Sequence, residues 1–89
     1  MNGQSNGIVE KIRQFLAAEV THCSQDEIKG DWALISEIDS LDIQALIVFL
    51  ESEFEISVDD MDVTVENFES VNRVADLVRR KLARTSSHL

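Results

Sequence analysis

Six consecutive residues hold the best candidate chemistry in this chain: Glu37-Ile38-Asp39-Ser40-Leu41-Asp42. Asp39 is a good helix N-cap, because its side chain can accept the first free backbone N–H groups. Asp42 then falls at the third helical position, where a carboxylate favours the positive end of the helix dipole. With the cap supplied by Asp39, the Ser40 hydroxyl points outward and is not needed for structure. A phosphodiester formed on it would sit at a helix N-terminus, where backbone N–H groups and the dipole favour an anion. Such a serine needs no intrinsic activation if a transferase supplies base and metal. Taken locally, Ser40 reads first as an ordinary residue of a capped first turn.

Two other clusters fail. Asp60-Met61-Asp62-Val63-Thr64-Val65-Glu66 places oxygen ligands at alternate positions, like the start of an EF-hand loop. The glycine required at the sixth position is Val65, and the bidentate glutamate required at the twelfth is Val71. His22 and Cys23 are possible zinc ligands, but a closed site needs four and His88 is the only other good one. No glycine-rich phosphate loop, nucleophile elbow or catalytic-base histidine is present, so the chain reads as a substrate or partner of enzymes rather than an enzyme.

The elements that position Ser40 follow from apolar spacing. Ile8, Ile12, Phe15, Leu16 and Val20 predict a first helix from about Ile8 to Thr21. A long connection, Thr21 to Ile38, carries the apolar thread Ile28, Trp32, Leu34, Ile35 and Ile38, with Trp32 plugging the loop onto the core. A second helix is expected from Asp39-Ser40 to near Glu55. Leu46, Leu50 and Phe54 share its core face, with Ile43 and Ile47 beside them. Leu41 and Val48 lie off that face, rimmed by Asp42, Glu51 and Glu55, the mix of apolar anchors and charged rim that makes a helical docking surface. A short helical turn is expected over Val65 to Glu69 around Phe68. A last helix follows Ser70 as N-cap, with Val71, Val74, Val78 and Leu82 inward and Arg79, Arg80, Lys81 and Arg84 complementing its C-terminal dipole.

The expected fold is therefore all-α, three long helices and one short, in a single domain over residues 8–84. Residues 1–7 are expected to be disordered and 85–89 to fray. Eighty-nine residues with a 44% hydrophobic share suffice for one core. The absence of proline suits long helices. The longest apolar run, Ala45 to Leu50, is far short of the roughly 20 residues that span a bilayer. One cysteine permits no internal disulfide, and the polar start lacks a secretory signature, so a cytoplasmic monomer is expected.

Charge narrows the partners. The net charge is −9, and twelve acids lie between Asp31 and Asn72 without one lysine or arginine. Such a surface repels nucleic acid. It suits a basic protein partner, or is simply a well-solvated acidic surface.

Asp39-Ser40-Leu41-Asp42 opening an apolar helix, followed by Leu50-Glu51-Ser52-Glu53-Phe54, resembles the acyl carrier protein family. Trp32 stands where that family has a large apolar loop anchor, and Val58-Asp59-Asp60 and Phe68-Glu69-Ser70-Val71 also look like it. The resemblance covers about Ile8 to Leu82. It implies an acyl-carrier-like four-helix bundle in which Ser40 carries 4′-phosphopantetheine, delivered from coenzyme A by a phosphopantetheinyl transferase. It further implies that acyl intermediates of fatty-acid, polyketide or related specialised biosynthesis travel as thioesters on that arm. Acyl-transferring and chain-elongating enzymes with basic surfaces would then dock on Asp39, Leu41, Asp42, Val48, Glu51 and Glu55, and the core would shelter the cargo. Asp39 before the serine is closer to acyl than to peptidyl carriers. The chain departs from the family at Ser36 and Glu37, where leucine-glycine is usual, and at Ala45, where an acid is frequent. Glu37 favours the alternative of an unmodified acidic interaction domain that keeps the carrier fold; a helical hydrolase or metal buffer has no constellation behind it.

Overall fold

The computed structural model describes residues 4–86, with side chains described over 7–83. Helix α1 spans Gln4–Phe15 and continues as a π-helical segment, Leu16–Thr21. It begins four residues before the apolar spacing predicts, so Gln4 to Gly7 belong to the helix and not to a disordered end. The rest of that expected end, residues 1–3, lies outside the described residues. Ile8, Ile12 and Leu16, four apart, form the buried stripe. The segment closes at His22, which adopts a left-handed conformation (φ 58°). There the Thr21 hydroxyl donates to the Leu16 carbonyl at 3.3 Å.

The long connection is held at three points. The Arg13 guanidinium donates to the carbonyls of Ile28 and Gln25, the latter at 2.9 Å. Ile28 and Leu34 are fully buried, and Trp32 packs half-buried against the core, as a loop plug does. The Gly30 carbonyl accepts the Asn72 N–H at 2.8 Å. A Cβ on residue 30 would stand 2.5 Å from the Asn72 side-chain oxygen, so glycine is what allows this approach. The connection then coils into a four-residue helix α2, Leu34–Glu37.

Helix α3 spans Ser40–Phe54 and ends at Glu55 in a left-handed conformation (φ 56°). Leu46 and Leu50 are fully buried, while Ile43, Ile47 and Phe54, expected in the core, are only half-buried against it. Helix α4 spans Val71–Ser86 and buries Val71, Val74, Ala75, Leu77 and Val78. The Ser70 hydroxyl accepts the Arg73 N–H at 3.3 Å, the expected cap. The helix runs two residues further than expected, to Ser86, and residues 87–89 lie outside the described residues. α1 packs chiefly on α4, and α3 touches both.

The short helical turn expected over Val65 to Glu69 is a single hydrogen-bonded turn that does not extend into a helix. Thr64 accepts from the Asn67 N–H through its side chain (3.1 Å) and from the Phe68 N–H through its carbonyl (3.1 Å). Local side-chain bonds of this kind compete with helix propagation. Phe68 is nonetheless fully buried. The four-residue helix lies before Ser40 rather than after it. No strand occurs among the described residues, so the described chain is all-α.

Candidate functional site

Ser40 is the first residue of α3, exposed, directly after the cap. The Asp39 side chain accepts the Asp42 N–H at 3.0 Å, and Asp42 Oδ2 reaches back to the Asp39 N–H at 3.5 Å. This is the capping box, with both carboxylates in the places the sequence assigns them. Asp39 holds extended backbone (φ −101°, ψ −176°), so the chain turns into the helix at Ser40. Among the described residues no side-chain hydrogen bond holds the Ser40 hydroxyl. It is free to act as a nucleophile toward a group brought by another protein. Its position also offers an attached anion the first N–H groups of α3.

A groove of about 730 Å³ opens beside it. One wall is a continuous face of α3: Ser40, Ile43, Gln44, Ile47 and Val48, at spacings of three and four. Ser40 to Val48 covers about 12 Å at 1.5 Å per residue. The facing wall is Val58, Asp60 and Val63, and Ile35 and Ile38 close the end near α2. Spacing had put Ile43 and Ile47 beside the core face and had not distinguished Gln44. The signal was present, since a helix with apolar residues on more than one face has more than one face to cover.

The proposed docking residues fall into two groups. Leu41 and Val48 are 76% and 64% exposed, as their place off the core face requires. Asp42 is half-buried in the cap and Glu55 is exposed at the end of α3. Glu51 is different: its carboxylate accepts the Val58 N–H at 2.9 Å and so fixes the chain after α3. It therefore positions Val58, a groove residue, besides adding surface charge. Beyond the expected set, Met61 and Val65 are strongly exposed near the facing wall.

The other candidate ligands have structural employment. Asp62, the third residue of the EF-hand-like run, pairs with the Lys81 Nζ at 2.6 Å and accepts the Asp59 N–H at 2.9 Å. These bonds tie a 3-10 turn, Asp60–Asp62, to α4. Cys23 Sγ lies 2.9 Å from the Thr21 hydroxyl, and His22 is exposed at the end of the first helix. Among the described residues no group of three or more His, Cys, Asp or Glu side chains is placed to hold a metal ion, and no helix is long and apolar enough to cross a membrane. No protein-family model matches the chain, and a search of curated proteins finds no match either.

Proposed function

We propose that the chain is a cytoplasmic acyl carrier protein with an acyl-carrier-like four-helix bundle, modified on Ser40 with 4′-phosphopantetheine. The observation that carries the reading is the coincidence of three features at one point: an exposed and unbonded Ser40 hydroxyl, a helix N-terminus built by the Asp39–Asp42 box, and a groove of mixed isoleucine, valine and polar lining that starts at that serine. An exposed serine at a cap is commonplace. This one opens onto a groove whose volume lies within the 300–1,000 Å³ range of small-ligand sites.

The chemistry asked of the chain is small. In the attachment step the Ser40 oxygen attacks the phosphorus of coenzyme A that bears the pantetheine arm. The pyrophosphate bond breaks, the nucleoside bisphosphate leaves, and the hydroxyl proton passes to a base of the transferase. The new phosphodiester lies at the N-terminus of α3, where the helix dipole favours its charge. The arm supplies a thiol on which acyl groups are held as thioesters. The apolar side chains from Ile43 to Val63 offer that cargo a place out of water. Exposed Leu41 and Val48, with Asp42 and Glu55 around them, present apolar anchors and negative charge to a basic enzyme surface.

The second reading, an unmodified acidic interaction domain, rests on Glu37. This side chain is exposed at the end of α2, three residues from Ser40, and adds charge where coenzyme A phosphates must approach. Labelling with a fluorescent coenzyme A conjugate and a broad-specificity transferase separates the two. A carrier is labelled, with the label mapping to Ser40 and not Ser36. An interaction domain stays dark at any transferase concentration that labels a control carrier.

A further inference from the structure

The groove beside Ser40 is not uniformly apolar. Gln44 lies one helical turn beyond Ser40 on the α3 wall, and Asp60 stands on the facing wall. No hydrogen bond or ion pair engages either side chain among the described residues, whereas neighbouring Asp59 and Asp62 are tied to Lys81. Asp39 also lines the groove, at the Ser40 end. The remaining walls are isoleucine and valine, stiff at their branched carbons and without a donor.

From this lining we infer that the groove selects its cargo by polarity: it takes a short acyl chain that carries a neutral hydrogen-bond donor, such as a hydroxyl, and disfavours one that carries a carboxylate. The inference rests on the carrier reading given above. Three physical effects set the order. A plain alkyl chain covers the apolar walls but strips water from Gln44 and Asp60 without replacing its hydrogen bonds. A hydroxyl covers the same walls and donates to the Asp60 carboxylate, a charge-assisted bond stronger than one between neutral groups. It also has the Gln44 amide within the same stretch of groove, able to donate or accept. A terminal carboxylate instead meets Asp39 and Asp60, exposed like charges on the groove lining whose repulsion water and salt screen only in part.

The test loads the full chain from three coenzyme A thioesters of equal chain length, hexanoyl, ω-hydroxyhexanoyl and adipoyl, and measures the rate at which hydroxylamine cleaves each bound thioester. The nitrogen attacks the thioester carbonyl, the carbon–sulfur bond breaks, and a hydroxamate and the free thiol result. Cleavage therefore reports how well the groove shields the cargo. Each rate is divided by that of the same thioester on free pantetheine. The hydroxy cargo should be cleaved about three- to tenfold more slowly than adipoyl, with hexanoyl between them, the span expected of one partly exposed charge-assisted bond. Asp60→Asn should bring adipoyl up to hexanoyl. Gln44→Leu with Asp60→Leu, both at exposed positions, should make hexanoyl the best-shielded cargo. Equal shielding of all three, or hexanoyl best on the unaltered chain, overturns the inference while leaving the carrier reading intact. A Gln44→Leu effect of the same size on every cargo also overturns it, since the side chain then serves the shared arm. Failure of all three thioesters to load, with a transferase that loads a control carrier, overturns the carrier reading itself, and this inference with it.

Discussion

Replacing Asp39 by alanine removes the side chain that starts α3 and thereby fixes Ser40. The Asp39 carboxylate accepts the Asp42 N–H at 3.0 Å, a normal bond, whereas in the return bond the Asp39 N–H donates to Asp42 Oδ2 at 3.5 Å, at the edge of what counts as one. The two halves of the box are therefore unequal. Loss of an N-cap side chain costs about 1 kcal/mol. For a chain of this size that is a fall in thermal midpoint of about 4–8 °C. Asparagine caps nearly as well as aspartate but gives up the charge, which is worth about 0.3–1 kcal/mol at the positive end of an exposed helix. Asp39→Asn should therefore cost less than Asp39→Ala, and its penalty should shrink in high salt. Asp42→Ala should cost about half as much as Asp39→Ala or less. Urea denaturation followed by far-ultraviolet circular dichroism gives all three values, and transferase labelling of Ser40 should slow in the same order. Equal losses for Asp39→Asn and Asp39→Ala would mean that charge, not the cap, is what Asp39 supplies. A loss for Asp42→Ala as large as for Asp39→Ala would refute the reading of the two distances.

Gly30→Ala should destabilise the chain by about 1 kcal/mol, because the new methyl meets the Asn72 side chain. The same change in an Asn72→Ala background should be neutral or stabilising, since Gly30 has no positive φ; thermal melts of the four proteins decide it. Glu37→Gln and Glu37→Gly should both accelerate modification by a generic transferase, and to a similar extent. The Glu37 backbone lies in α2 without a positive φ, so its charge is what remains to matter; a gain confined to the glycine variant would contradict this. Raising sodium chloride from about 0.01 M to 1 M shortens the Debye length from roughly 30 Å to 3 Å. The thermal midpoint should rise, given a net charge of −9 and twelve acids without a base from Asp31 to Asn72; an unchanged midpoint would show the acids too dispersed to repel.

The parts of the fold that sequence made legible are those set by local rules. The Asp39–Asp42 box, the Ser70 cap and the α3 bounds depend on residues within one turn of each other, and all are where their types require. Leu41 and Val48 were readable as exposed because they fall off the helical core face. The misplacements have tertiary or competing local causes. The four-residue helix α2 forms where Leu34 and Ile38 are drawn into a core that the sequence does not display. The turn at Thr64 to Phe68 stays a turn because Thr64 and Asn67 bond locally, with Asn67 Nδ2 also donating to the Asp62 carbonyl at 2.8 Å. Of the groove, only the extra apolar face of α3 was legible; the residues that complete its lining were not. Its two walls are α3 and residues 58–63, and what brings them together is Glu51 on Val58 and Lys81 on Asp62, contacts across 7 and 19 positions of sequence.

The most direct test of the central claim is the intact mass of the chain after incubation with coenzyme A, magnesium and a broad-specificity phosphopantetheinyl transferase, run beside Ser40→Ala. The carrier reading predicts a gain of one phosphopantetheine on the unaltered chain and none on the variant. No gain on either with an active transferase, or an equal gain on both, would contradict it.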